Sequence, residues 1–244
     1  MKLYNRIFER TEDLLRGRTP VSFPYEEDRT WPLSEDYEMI MRKDSRFELG
    51  SGKRCGAAMT CVTDDGSYVN EDCTCLYGPD LPEIKDGTDY FRISQILIRK
   101  GETGESANDA PGLCDLVRGI DFVRFHVYTK GFMIRTSGQS VREQVRVSGE
   151  ALEKGISFSR IGNTFIRMYR EKPEVERARV IFVTAEDADF SALEAEAVRA
   201  ADIRRSLSGI GKGLPRDCAA CSIKEICSEV EGLKELHFGY NATS

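Results

Sequence analysis

The C-terminal cysteines are the feature that most limits how this chain can fold. Cys218, Cys221 and Cys227 have the spacing C-x2-C-x5-C, and His237 follows in a region with few apolar residues to bury. Thiolates at this spacing can face one metal centre, and a histidine can complete the ligand set. The pattern predicts either a [4Fe–4S] cluster or a zinc ion held by these four residues. The competing interpretation is a short helical tail with unligated cysteines, in which His237 is a packing or surface residue.

The composition argues against several classes of protein. The 244 residues are 40% hydrophobic, which is enough for a core. No stretch approaches the roughly 18 apolar residues of a transmembrane helix, and the N-terminus lacks the apolar region of a secretory signal. The net charge of −6, with interspersed signs, argues against a nucleic-acid-binding surface. We therefore expect a cytoplasmic protein that binds neither nucleic acid nor membranes, with reduced cysteines.

The pattern of apolar residues predicts an α+β fold with a β-rich N-terminal part, an α/β part and a short cysteine-bearing segment. The corresponding units are 1–105, 106–207 and 208–244, divided at the polar stretch 100–110 and at a glycine-rich link. Strands are predicted at 37–42, 58–63, 67–76, 90–99, 144–148 and 179–184. Helices are predicted at 3–16, 112–130, 150–154, 160–170, 185–206 and 223–230.

A second group of cysteines comprises Cys55, Cys61, Cys73 and Cys75. The turn at 64–67 is expected to join two strands as a hairpin, which would bring Cys61 near Cys73. Three interpretations remain open. The group could form a second metal site, it could donate a fourth thiolate to the tail, or its members could be buried as small hydrophobic side chains.

Arginines make the middle of the chain locally basic. Arg135, Arg142 and Arg146 are candidates for binding the phosphates of coenzyme A, or the surface of an acidic ferredoxin, because guanidinium groups bind phosphates and carboxylates with paired hydrogen bonds. A solvated basic face would give the same pattern. The glycine-rich stretch 209–213 lacks the preceding strand of a phosphate-binding loop and is better explained as a hinge.

Several short motifs occur in the same order as in the central domain of acetyl-CoA synthase, the beta subunit of the carbon monoxide dehydrogenase/acetyl-CoA synthase complex. The chain resembles this family over roughly residues 37–237. The motifs are Glu48-Leu-Gly-Ser-Gly52, Tyr77-Gly-Pro-Asp-Leu-Pro82, Gly138-Gln139, Arg146-Val-Ser148, Gly155-Ile-Ser-Phe158, Val180–Thr184 and Cys218-x2-Cys221.

The resemblance implies a ligand set and a set of partners. Cys218, Cys221 and Cys227 match the first three cysteines of the family's [4Fe–4S] cluster, and His237 stands near the place of the fourth. No Cys-Gly-Cys follows, so nickel and the nickel-binding domain are not expected in this sequence alone. The family's tryptophan near the coenzyme A region is replaced close to Arg135, and the only tryptophan here is Trp31.

The leading functional prediction is an iron–sulfur protein of anaerobic one-carbon and acetyl-CoA metabolism. It would act by electron transfer or by docking to carbon monoxide dehydrogenase, to an acetyl-CoA synthase-type subunit or to a ferredoxin. One alternative is a catalytic subunit of an acetyl-CoA synthase-type enzyme that a partner chain completes with nickel. The other is a non-enzymatic module with structural zinc.

Overall fold

The computed structural model describes residues 2–99, 110–212, 221, 224–230, 233 and 236. The helices are α1 (Asn5–Leu15), α2 (Ala110–Phe122), α3 (Gly149–Glu153), α4 (Phe158–Arg170), α5 (Phe190–Gly211) and α6 (Lys224–Glu229). The strands are β1 (Val21–Pro24), β2 (Ser45–Leu49), β3 (Gly56–Thr63), β4 (Cys73–Tyr77), β5 (Tyr90–Ile98), β6 (Phe132–Thr136), β7 (Glu143–Ser148) and β8 (Val175–Val183). The predicted α+β class is confirmed. No helix in the described ranges is long and apolar enough to cross a membrane.

The larger sheet has five strands in the order β1-β4-β8-β5-β3. β3 and β5 are parallel, as are β4 and β8, whereas β5 and β8 are antiparallel. Every residue of β3 and β5 is buried. Helix α4 packs against β4 and β8, and α5 packs against β3. Helices cover both faces, which explains why these strands have continuous apolar runs.

The smaller sheet is antiparallel, with the order β2-β7-β6. Burial alternates along β7, so Glu143, Val145 and Val147 point inward. The Glu143 carboxylate accepts hydrogen bonds from Arg92 Nε at 2.8 Å and Nη2 at 2.6 Å, and both side chains are completely buried. This ion pair joins β7 of the smaller sheet to β5 of the larger one.

Three expectations need correction. The hairpin across residues 64–67 is wrong, because β8 and β5 lie between β4 and β3 in the sheet. No strand forms at 37–42, and Met39 and Met41, which the prediction placed in a strand, are exposed to solvent. The strand in this part of the chain is β2, which begins at Ser45. The predicted helix at 112–130 ends at Phe122, and β6 follows it after a short 3-10 turn.

The two sheets do not follow the predicted division near residue 105. β8 lies in the centre of the larger sheet beside strands from the first hundred residues. β2 likewise joins β7 and β6 in the smaller sheet. Each sheet therefore combines strands from both sides of residues 100–109, which themselves lie outside the described part of the chain.

Candidate ligand-binding clefts and cysteine sites

A cleft of about 570 Å³ opens beside β6, and we call it the first cleft. Its walls come from β6, from the turn after α2 and from the β6–β7 loop. Arg135 and Arg142 line it, together with Tyr37, Tyr128 and Gln144. Its volume falls in the range of sites for small molecules.

The register of β6 with β7 places Arg135 beside Gln144 in this cleft. Phe132, Met133 and Ile134 are buried, whereas Arg135 is exposed. Arg135 pairs in register with Gln144 of β7, so both side chains share one face of the smaller sheet. In the described part of the chain, neither Arg135 nor Arg142 has an acidic partner. Two arginines without an ion-pair partner therefore border the first cleft, whose lining also includes the Glu38 carboxylate.

Arg146, the third predicted arginine, contacts Glu48 and the backbone of Ile40. Its Nε lies 2.5 Å from Glu48 Oε1, and its Nη1 donates to the backbone oxygen of Ile40 at 3.0 Å. Arg146 does not line the first cleft. Its charge is matched by Glu48, so its role is to hold β7 against β2 and the segment before it.

A second cleft, of about 730 Å³, lies between α2, α5 and the β6–β7 loop. Its apolar lining includes Phe122 and Val198, which are 54% and 42% exposed. Ser140 and Arg142 line both clefts, so the β6–β7 loop forms their common wall. One extended ligand could therefore contact both cavities across Arg142.

Apart from Arg142, the arginines that line the second cleft are paired with carboxylates, and Arg118 pairs with Asp115. Arg204 Nη1 lies 2.6 Å from Asp121 Oδ2. The same carboxylate also lies 3.1 Å, through Oδ1, from Nε of Arg124, which lines the first cleft. Burial lowers the pKa of Arg124, and the Asp121 carboxylate opposes that shift. Arg205 pairs with Asp202. Among the arginines that line the two clefts, Arg135 and Arg142 are thus the ones without an ion-pair partner in the described part of the chain.

The sequence prediction did not include Arg124, Phe125 and Tyr128 among the cleft residues. They belong to the aromatic run Phe122–Tyr128, which resembles the buried face of a helix. The helix ends at Phe122, and the last residues of the run turn towards the first cleft. His126 is exposed, and its ring packs against that of Phe122 at a tilt of 31°, with ring centroids 3.9 Å apart.

The tail cysteines are only partly described. Cys218 and His237 lie outside the described residues. Cys221 and Cys227 are half-buried, and α6 carries Cys227 and Ile226 against the protein core. Arg199 of α5 also forms an ion pair with Glu229 of α6 at 3.7 Å. The sulfur donors of C-x2-C-x5-C suit an iron–sulfur cluster or zinc by their chemistry.

The four cysteines of the second group do not meet at one point. Cys61, Gln95, Arg179 and Cys73 occupy one row across the larger sheet. Three strand spacings of about 4.8 Å place Cys61 roughly 14 Å from Cys73. Within the described ranges, no three histidine, cysteine, aspartate or glutamate side chains gather to hold a metal.

The environments of these thiols differ. Burial raises the pKa of Cys61 far above its ordinary value. Burial and the nearby Glu194 carboxylate raise the pKa of Cys55 to about 11. Cys73 and Cys75 lie beside each other with their sulfurs 3.8 Å apart. A hydrogen bond between them lowers the pKa of Cys73 and raises that of Cys75.

The comparisons with known proteins assign the family. None of the curated proteins matches this chain. The family model described as "CO dehydrogenase/acetyl-CoA synthase complex beta subunit" matches residues 33–188. The match includes both β6 and β7, with Arg135 and Arg142, and ends before the tail cysteines. Because the match covers more than half of the sequence, the chain belongs to the family of CO dehydrogenase/acetyl-CoA synthase complex beta subunits.

Proposed function

We propose that this chain is a coenzyme A-binding domain that acts in a complex with a carbon monoxide dehydrogenase-type partner. The observation that carries the proposal is the pair of unmatched guanidinium groups, Arg135 and Arg142, on the wall of the first cleft. Both arginines lie in the segment that matches the family model. The proposed carbon monoxide dehydrogenase-type partner is supported by the family, whose members are described as subunits of such a complex.

The two clefts suit the two chemical parts of coenzyme A. Guanidinium groups bind phosphate oxygens through short, charge-assisted hydrogen bonds. Arg135 and Arg142 would hold the phosphates in the first cleft. The more apolar second cleft, with Phe122 and Val198, would accept the uncharged pantetheine arm across the shared β6–β7 loop. The domain would thereby orient the coenzyme A thiol towards a partner that performs the chemistry.

Calorimetric titration of the full chain with coenzyme A tests this proposal. The Arg135→Ala and Arg142→Ala variants should each bind about 10- to 100-fold more weakly, because a hydrogen bond to a charged group contributes about 1.5–3 kcal/mol. Arg16→Ala is the matched control, since Arg16 is an exposed arginine at the end of α1 and remote from both clefts. Equal affinity in all three variants, or no binding to the wild-type chain, would contradict the proposal.

A second proposed function rests on the tail. Cys227 is held against the core by α6, so a centre at the tail would be anchored to the domain. We infer that Cys218, Cys221 and Cys227 hold a [4Fe–4S] cluster, with His237 as candidate fourth ligand. The cluster would exchange electrons with a ferredoxin or with the dehydrogenase partner.

Metal analysis and a visible spectrum of protein purified without oxygen test the cluster. About four irons per chain, with a broad thiolate-to-iron absorption band, are expected. The band should disappear in Cys221→Ser and persist in Cys114→Ser, a cysteine of α2. Bound zinc without colour would favour the structural alternative, and a chain without either metal would contradict both.

A further inference from the structure

Cys73 and Cys75 form a side-by-side thiol pair on β4. Their sulfur atoms are 3.8 Å apart. Side chains alternate along a strand, so both thiols lie on one face of the larger sheet, and the intervening Thr74 contacts Gly162 of α4 on the other face. Cys73 is buried, whereas Cys75 is half-buried beside the exposed edge strand β1. A small solute can therefore reach the pair from the side of Cys75.

The separation of the sulfurs fits a shared metal ion. A tetrahedral zinc ion with bonds of about 2.3 Å to two thiolates holds their sulfurs about 3.8 Å apart. A disulfide fits less well, because it needs β-carbons about 3.8 Å apart. Neighbours on one face of a strand are about 6.6–6.8 Å apart along the chain. The backbone at β4 thus suits chelation better than oxidation.

Arg179 favours the deprotonated form that a metal requires. It lies opposite Cys73 on the neighbouring strand β8. Its guanidinium group donates to the backbone oxygen of Tyr68 at 3.1 Å and to Asn70 Oδ1 at 2.7 Å, which fix its position. A fixed positive charge stabilises a thiolate, and thiols bind metals as thiolates.

We propose that Cys73 and Cys75 form a two-thiolate chelate for a thiophilic d10 cation such as Zn²⁺. Water or an external thiol would occupy the remaining positions of the tetrahedron. Cys61 cannot contribute, because β5 and β8 separate it from the pair. The inference does not rest on the proposed function, since the pair belongs to neither cleft and is distinct from the tail cysteines.

Titration of the full reduced chain with Cd²⁺, a spectroscopic substitute for Zn²⁺, tests the chelate. The thiolate-to-cadmium band in the ultraviolet and the bound metal after dialysis are measured together. Cys75→Ser should lose about one equivalent of Cd²⁺ relative to the wild-type chain. Cys55→Ser, a half-buried cysteine outside the pair, should bind as much Cd²⁺ as the wild-type chain. Full retention by Cys75→Ser would overturn the proposal.

Alkylation of the wild-type chain tests the chelate without mutations, and therefore remains informative if a variant fails to fold. Zn²⁺ should slow the alkylation of Cys75 by iodoacetamide at least about tenfold in the wild-type chain, as read by peptide mass spectrometry. Cys55 serves as the internal reference and should be alkylated at the same rate with and without Zn²⁺. Equal alkylation of Cys75 in both conditions would overturn the proposal.

Discussion

The two sheets use arginine in opposite ways. In the larger sheet, Arg92 is completely buried and pairs with Glu143. Its Cζ atom also lies 4.4 Å from the centroid of the Phe165 ring. By contrast, Arg135 of the smaller sheet and Arg142 of the β6–β7 loop border an open cleft and have no ion-pair partner in the described part of the chain. The buried arginine must be matched because an isolated charge is costly to remove from water. The exposed arginines remain accessible to solvent, and this difference underlies our proposal that the larger sheet is the scaffold and the smaller sheet carries the binding surface.

The largest expected effect comes from breaking the ion pair between the sheets. Glu143→Ala should lower the free energy of unfolding by about 3–5 kcal/mol, because it leaves the Arg92 charge buried and unmatched. Denaturant unfolding measures the change. The double variant Arg92→Met/Glu143→Met should recover much of the loss, since an apolar pair of similar size often replaces a buried ion pair without cost. A loss below about 1 kcal/mol in Glu143→Ala would contradict the burial of this pair.

A smaller loss is expected at the contact between α4 and β4. A β-carbon on Gly162 would come within 2.1 Å of Thr74 Oγ1, so Gly162→Ala should cost about 1–3 kcal/mol of stability. Gly119→Ala in α2 is the matched control, because a β-carbon there meets nothing within 4 Å. That control should instead stabilise the helix by up to about 1 kcal/mol. Equal behaviour of the two variants in thermal unfolding would argue against the close packing of α4 on the larger sheet.

The ion pair of the smaller sheet should have a weaker, pH-dependent effect. Hydrogen bonds from Ser51 and from Arg146 lower the pKa of Glu48 below its ordinary value of 4.5. A carboxyl with a lowered pKa stabilises the fold above its unfolded pKa, and this contribution disappears as the pH falls through the folded pKa. Glu48→Gln should therefore cost roughly 0.5–1 kcal/mol at neutral pH.

The difference between Glu48→Gln and the wild-type chain should shrink as the pH drops below 4.5. Urea unfolding at a series of pH values measures it. A difference that stays constant down to acidic pH would show that Glu48 acts by packing rather than by its charge.

The smallest effect on stability is expected for the cleft arginines themselves. Arg135→Ala and Arg142→Ala should change the free energy of unfolding by no more than about 0.5 kcal/mol, since both side chains are exposed. A large loss of stability in either variant would mean that the residue belongs to the scaffold.

Local patterns in the sequence predicted much of the fold. The apolar face of α1 and the continuous apolar run of β5 identified those elements. β6 was missed because its apolar residues follow the helix-like aromatic run Phe122–Tyr128. The position of β8 between β4 and β5 depends on contacts between distant segments, which no short pattern encodes.

The candidate site was predicted less completely. The sequence groups Arg135, Arg142 and Arg146 as phosphate-binding candidates, and only the three-dimensional pairing of Arg146 with Glu48 distinguishes it from the other two. Arg92 has the same residue type as the cleft arginines, and only its burial distinguishes it. Spacing alone likewise grouped Cys61 with Cys73, although two strands separate them.

Hydrogen–deuterium exchange of the full chain, with and without coenzyme A, tests the central claim most directly. We predict that coenzyme A slows exchange in residues 123–144, which contain the turn after α2, β6 and the β6–β7 loop. Exchange in β3 and β5 should not change, because these strands belong to the buried scaffold. Unchanged exchange in residues 123–144, whether or not exchange slows elsewhere in the chain, would contradict the proposal that the smaller sheet is the binding surface.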